Sequence, residues 1–189
     1  VKNTQLVSFE KDGALLNELY TASGDGTQIT ESLHELIRPA TQEDVASIVE
    51  IIRPLEDAGV LVRRSRDRLE AEIAHFLVAE IDHTVVGCCA VYPYEHAAEL
   101  ACIVVNPSYR DRQKGSGMPG IGAALLEAAE LSARNSGATE LFALTTNTRD
   151  WFIENGFTNT TPDALPAPKQ ALYNYQRNSQ VLTKPLDRS

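Results

Sequence analysis

ELACIVVNPSYRDRQKGSGMPGIGAALLE, Glu99 to Glu127, is the stretch on which the reading of this chain turns. Ala101-Cys102-Ile103-Val104-Val105 is a short apolar run rich in β-branched residues, and it predicts a buried strand. Asn106-Pro107 ends that strand, because proline fixes φ and brings no N–H to a ladder. Arg110, Arg112 and Lys114 then lead into Gly115, Gly117, Gly120 and Gly122, and the run from Ala123 to Ala129 predicts a helix. Glycines let backbone N–H groups approach a ligand, and a helix N-terminus adds partial positive charge. Strand, basic Gly-rich loop and helix together make a cradle for a pyrophosphate. A Walker loop is excluded, since no Gly-Lys-Ser/Thr closes the segment. Gly115, Gly117 and Gly120 fit G-x-G-x-x-G, but a dinucleotide site puts those glycines after the first strand of a βαβ unit, and here about a hundred residues come first. For the loop taken alone, an ordinary Gly-rich turn between strand and helix is the plainer alternative.

The remaining composition narrows the classes. With 189 residues, 43% of them hydrophobic, the chain can fill one sizeable core and is short for two ordinary domains. No apolar run reaches the length of a membrane span, and Val1-Lys2-Asn3-Thr4-Gln5 opens no signal-peptide core, so the expectation is a cytoplasmic protein that takes no membrane. The net charge of −9 argues against a nucleic-acid partner. An acidic protein that binds anions must gather its cations locally. This one does so in the Gly-rich loop and again at Arg63-Arg64-Ser65-Arg66-Asp67-Arg68. Cys88, Cys89 and Cys102 have no metal-ligand spacing and read as reduced, buried thiols, with a covalent role for Cys102 as the minor alternative.

In chain order, residues 1–32 read as an arm, with a short helix over Asp12 to Tyr20 and a loop at Ser23–Thr27. Leu36–Ala40 is a first strand. Thr41 has N-cap character for a helix carrying Val45, Ile48, Val49, Ile51 and Ile52, which should end near Arg53-Pro54. Ser65 caps a second helix, with Arg66 and Arg68 on its solvated face. Arg63 and Arg64 precede that helix, where an arginine can point into a cleft and take a carboxylate. Phe76–Glu80 and Thr84–Tyr92 form a hairpin about Asp82-His83, with Gly87 marking a bulge. Ala97–Val105 is the central strand. Glu99 enters it as a carboxylate among apolar residues, where desolvation would suit it to base work; a rim glutamate is the alternative. A helix to about Asn135, a strand over Glu140–Thr146, a short helix at Trp151–Glu154, a loop marked by Pro162, Pro166 and Pro168, and a last strand at Gln180–Thr183 complete the chain. The order predicts an α/β (α+β) fold with one mixed central sheet flanked by helices, the hairpins forbidding a purely parallel sheet.

Arg112-x-x-Gly115-x-Gly117 and Gly120-Ile121-Gly122-x-x-Leu125-Leu126 resemble the acetyl-CoA loop of the GNAT acyltransferases. Leu61-Val62-Arg63-Arg64-Ser65, Glu99-Leu100-Ala101-Cys102, Leu144-Thr145-Thr146-Asn147-Thr148, Gly156-Phe157 and Tyr173-Asn174-Tyr175-Gln176-Arg177-Asn178-Ser179 resemble, jointly and in order, the acetyltransferase domain of the bacterial N-acetylglutamate synthase family. The likeness runs from about Leu36 to the last residues. Asp12 to Ile29 is similar to the last piece of that family's amino-acid-kinase-like domain, which gives 1–32 as an arm and 33–189 as the GNAT domain.

The resemblance implies transfer of acetyl from acetyl-CoA to the α-amine of L-glutamate, the first step of arginine biosynthesis, by direct attack and with no metal. It implies Glu99 as general base and Thr145 as candidate acid. It implies Leu61, Arg63, Arg64 and Arg177 around the substrate. For acetyl-CoA it implies Cys102, Ile103, Val104, Val105, Arg110, Arg112, Gly115, Gly117, Gly120, Gly122 and Asn147. It also leaves open a homo-oligomer or fusion to another arginine-pathway domain. Many GNAT enzymes carry a tyrosine acid five residues before the Phe of the Gly-Phe pair. Here Phe152 stands there, so either Thr145 serves or the thiolate leaves unassisted. A GNAT enzyme for another small amine, and a non-catalytic acetyl-CoA sensor, are the alternatives.

Overall fold

The computed structural model describes residues 3–6, 27–30, 36–110, 120–173 and 179–186. Backbone contacts divide the chain into Val1–Leu33 and His34–Ser189. In the first unit β1 (Asn3–Leu6) pairs antiparallel with β2 (Thr27–Thr30), Asn3 opposite Thr30. Thr27, expected in a loop, therefore opens a strand, because its backbone pairs with Leu6. The expected helix at Asp12–Tyr20 lies outside the described residues.

The second unit is built on one mixed sheet of seven strands, as the element order predicts. These are β3 (Ile37–Pro39), β4 (Phe76–Ile81), β5 (Thr84–Pro93), β6 (Ala97–Val105), β7 (Glu140–Thr145), β8 (Thr158–Thr160) and β9 (Gln180–Pro185). Their spatial order is β3-β4-β5-β6-β7-β9-β8, which puts β6 in the middle, and the β6–β7 pair is parallel. Helices α1 (Val45–Asp57) and α2 (Arg66–Glu72) cover one face through Val45, Ile48, Ile52 and Leu69. Helix α4 (Ile121–Asn135) covers the other through Ile121, Leu125, Leu126, Ala129 and Ala133, following the short α3 (Pro107–Arg110). Full burial of a Leu or Ile of this kind contributes about 1.5–3 kcal/mol. Helix α5 (Arg149–Glu154) and the short α6 (Ala167–Gln170) flank the C-terminal strands.

Helix α1 does not stop at Pro54. The ring forfeits one N–H, but Leu55 packs on the α1–α2 core, and Ala58 N–H again reaches Pro54 O at 3.1 Å. The extra turn delivers Glu56, whose Oε1 accepts from Arg64 N–H at 2.8 Å. The proline-marked segment likewise holds a 3₁₀ turn (Pro162–Ala164) and α6, since proline is tolerated in a first turn. Strand β8 was not expected from the sequence. It is three residues long, with exposed or half-exposed side chains, and is drawn into the sheet by pairing with β9.

Two bulges set which side chains face which helix. Between β4 and β5, Ala79 faces Gly87 and Glu80 faces Val85, so Val86 is the extra residue. Val86 and Gly87 then both turn toward α4. A Cβ on Gly87 would lie 2.9 Å from Val104 O and 3.2 Å from Leu125 Cδ1. Gly87→Ala is therefore expected to lower stability by about 1–3 kcal/mol, read as a drop in the urea midpoint. The second bulge lies in β6, where Cys88–Ala90 of β5 spans the distance of Ala101–Val104. Cys102 sits at φ 53°, in the left-handed region that a side chain enters only with strain.

The N-terminus of the sheet is tied by charge. Arg38 grips Asp44 with two hydrogen bonds of 2.8 Å, and Thr41 N–H donates to the same carboxylate at 2.7 Å. Asp44 is buried, and Arg38's hydrogen bonds hold its pKa at about 2 against an ordinary 3.8. A depressed carboxylate stabilises the fold fully above its unfolded pKa and loses that contribution as pH falls through the folded one. We expect about 2 kcal/mol to disappear between about pH 4 and about pH 2, and Asp44→Asn to remove that part of the acid dependence in a urea-melt series.

Candidate active site

β6 and β7 pair over only four residues, from Ala97↔Glu140 to Leu100↔Ala143. Beyond this β6 continues to Val105 against β5, and β7 continues to Thr145 against β9. The two central strands thus part, and the β6 edge from Ala101 to Val105 faces an opening. The Cys102 bulge lies on that edge. Helix α4 begins at its far end: a Cβ on Gly122 would lie 3.9 Å from Val105 Cγ2 and 3.4 Å from the Trp151 ring. Gly120 is the N-cap of α4, and the first N–H groups of a helix have no partner within it. The donors that the Gly-rich sequence led us to expect are therefore at the mouth of the opening. Arg110 lies there too, exposed, with its Nε donating to Val105 O at 2.9 Å. Arg112, Gly115, Gly117 and Arg177 lie outside the described residues.

Glu99 sits one pair before the strands part, opposite Tyr92 on one side and Phe142 on the other. It is 7% exposed. It is not alone among apolar residues. Lys169 Nζ donates to both carboxylate oxygens, at 2.6 and 2.7 Å, and Tyr94 O–H reaches Oε2 at 3.4 Å. Burial, and then the neighbouring Glu99, push the Tyr94 phenol up to about 12. Sequence reasoning missed Tyr94, although with Tyr92 it keeps period two just past the end of β5, on the face that carries Glu99. Nothing local signals Lys169, which comes seventy residues later in α6.

Arg64 shares that face. Its guanidinium lies beside Cys102, Tyr92 and Glu72; burial works against the charge, but these neighbours outweigh it and raise its pKa. Its Nε is buried without a hydrogen-bond partner among the described residues. Tyr92 O–H donates to Glu72 at 2.6 Å, so this wall is a chain of polar groups on α2 and β5. Arg64 also borders a cleft of about 270 Å³ with Val49, Ile52, Arg53 and Glu56. Arg63 is unlike it: its side chain is 75% exposed and paired with Asp57 at 2.7 Å. Leu61 packs against the α1–α2 core. Arg66 and Arg68 make i,i+4 pairs with Glu70 and Glu72, as expected of a solvated face. A hydrogen bond with Cys88 lowers the pKa of the Cys102 thiol, burial opposes this, and Arg64 adds to the lowering.

Thr145 lies two residues beyond the last β6–β7 pair and is 9% exposed. By alternation with Leu141 and Ala143 it is on the α4 face, whereas Glu99 is on the other. Its Oγ1 accepts from Thr148 N–H at 3.0 Å and from Asn147 N–H at 3.4 Å, and lies 2.8 Å from Thr148 Oγ1. A hydroxyl that accepts such bonds is a better donor of its own proton. Asn147 itself is exposed. Phe152 is buried, edge-on to Phe157 at 5.0 Å, and is part of the core. Among the described residues, no three His, Cys, Asp or Glu group as a metal site would require.

Residues 72–159, which include the parting strands and the N-terminus of α4, match the acetyltransferase (GNAT) domain family. Over those residues the chain carries a GNAT acetyltransferase domain. It is 47% identical over 188 residues to the amino-acid acetyltransferase of Pseudomonas putida, covering 98% of this chain and 42% of that protein. The N-acetylglutamate synthase from Neisseria gonorrhoeae, complexed with coenzyme A and N-acetyl-glutamate, superposes with a TM-score of 0.74 at 38% identity, over 94% of this chain and 41% of that one. The same enzyme complexed with coenzyme A and L-arginine gives a TM-score of 0.79 at 36% identity, over 100% and 42%. The chain thus spans less than half the length of these relatives.

Proposed function

We propose that this chain transfers the acetyl group of acetyl-CoA to the α-amine of L-glutamate. One observation carries the reading: a buried carboxylate, Glu99, holds an ammonium group beside the opening between β6 and β7. Acetyl-CoA supplies the acetyl group as a thioester. The residues present fit it, because the edge of β6 left unpaired among the described residues offers backbone groups to an extended arm and the α4 N-terminus offers N–H groups to a pyrophosphate. An N–H at the Cys102 bulge, on that same edge, polarises the thioester carbonyl.

Glu99 takes the proton from the acceptor's ammonium, since only the free amine attacks. Arg64 binds a carboxylate of the acceptor through its guanidinium beside Tyr92 and Cys102, with Arg63 a weaker contributor. Arg177 belongs to the same proposal on the strength of its sequence motif. Thr145, on the opposite face of the sheet from Glu99, protonates the departing sulfur. A base and an acid on opposite faces suit a thioester lying in the gap between them.

The relatives extend well beyond the matched segment. That length supports reading residues 1–32 as the end of an amino-acid-kinase-like domain, and the protein as one that works fused to, or assembled with, further copies or domains. No described helix is long and apolar enough to cross a membrane, and a cytoplasmic setting accords with the proposed metabolite chemistry.

The test is release of free thiol from acetyl-CoA with each common amino acid as acceptor. Turnover with L-glutamate and little with the others is expected. Turnover confined to another amine would discard the substrate. Acetyl-CoA binding with no turnover would leave a sensor.

A further inference from the structure

The ammonium that rests on Glu99 belongs to the chain itself. Lys169 Nζ spans both Glu99 oxygens at 2.6 and 2.7 Å. Its side chain is 20% exposed and that of Glu99 9%, so the pair is largely screened from solvent, and Glu99 stands one residue pair before the strands part. The contact is held in place from behind. Gln170, the next residue, donates from Nε2 to Asp163 O at 2.8 Å and to Leu165 O at 2.7 Å, and Leu165 is buried against Phe142 and Val181.

We propose that Lys169 is an acceptor in its own right, and that the domain acetylates this lysine when no free amino acid occupies the site. The proposal rests on the reading of Glu99 as base. A lysine amine and an amino acid's amine are the same nucleophile once a proton is removed. Glu99 takes a proton from Lys169 Nζ. The freed lone pair attacks the thioester carbonyl carbon of acetyl-CoA, and a C–N bond forms. The C–S bond breaks with its electron pair on sulfur, the second amine proton is lost, and the thiolate takes up a proton. The products are an acetamide on Lys169 and the free thiol. The acetamide carries no charge, so the modified side chain can no longer pair with Glu99.

The structure contains its own control. Lys184 Nζ pairs with Glu130 Oε1 at 2.5 Å, with side chains 25% and 11% exposed, close to the 20% and 9% of Lys169 and Glu99. Lys184 lies over the Phe157 ring, on the α4 side of the sheet, and not at the parted strands. Burial is closely matched and each lysine rests on a buried carboxylate, Glu130 taking Arg134 as well, but only Lys169 lies by the parted strands.

The experiment is incubation of the full chain with acetyl-CoA and no amino acid, followed by peptide mass spectrometry at Lys169 and Lys184. Acetyl is expected on Lys169 roughly a hundredfold faster than on Lys184, because both lysines rest on a carboxylate and only Lys169 lies where a thioester in the gap could be reached. Excess L-glutamate should suppress it. Glu99→Gln, checked for retained acetyl-CoA binding, should slow it to the rate at Lys184, and Lys169→Arg should remove the mark. If Lys169 reacts no faster than Lys184 in a chain that turns over free amino acid, the proposal falls and the acyltransferase reading stands. Glu99-dependent acetylation of Lys169 without turnover of any free amino acid would support the proposal and discard the substrate. If neither occurs, both fall.

Discussion

Glu99→Gln is expected to lower kcat by roughly two to four powers of ten and to leave acetyl-CoA affinity nearly unchanged. Glutamine has the shape of glutamate and cannot take a proton. Its carboxamide also cannot hold Lys169 as an anion does, so the two hydrogen bonds of 2.6 and 2.7 Å weaken together. The loss should depend on pH in one direction. At alkaline pH the acceptor's amine is already neutral and needs no base, so the deficit narrows as pH rises. At lower pH more of the acceptor is protonated, and the deficit widens. A deficit constant across the pH range would show that Glu99 only shapes the site. The measurement is kcat against pH for both proteins, with acetyl-CoA binding measured separately.

Arg64→Met is expected to raise the KM for glutamate by roughly ten- to a hundredfold, the equivalent of one lost charge-assisted hydrogen bond of about 1.5–3 kcal/mol. The KM for acetyl-CoA should stay within about twofold. Methionine keeps much of the stem volume, so loss of packing is limited. Arg63→Ala should change either constant far less, because an exposed pair such as Arg63–Asp57 contributes only about 0–1 kcal/mol. The two arginines are neighbours in sequence, yet the structure gives them opposite surroundings. Equal effects of the two substitutions on glutamate would remove Arg64 from its assigned role, as would an Arg64 effect shared equally by both substrates.

Much of the scaffold was legible because local chemistry writes it. Ala97–Val105 is a strand over the predicted residues, and α4 ends at Asn135 with Gly137 at φ 87° behind it. Asp82 and His83, at φ 49° and 61°, make the tight hairpin turn that their position between two apolar runs implied. Ser65 caps α2 through Arg68 N–H, at 3.2 Å. Pro54 misled, because the penalty of a proline is local and the packing of Leu55 is not. Glu99 was found as a carboxylate out of place in a strand. Its partner Lys169 was not, because no periodicity or spacing ties a lysine in α6 to a strand seventy residues earlier. The parting of β6 and β7 was equally hidden. It depends on where a parallel ladder stops, which neither strand encodes by itself.

That short ladder has a mechanical consequence. Four residue pairs form the only seam between the leaf β3-β4-β5-β6 and the leaf β7-β9-β8 within the described sheet. A molecule lying along the free edge of β6 and touching β7 acts as a splint across that seam. Occupancy of the gap should therefore stiffen the whole sheet, and amides of β7 and β9, remote from any ligand atom, should exchange with solvent more slowly when the gap is filled.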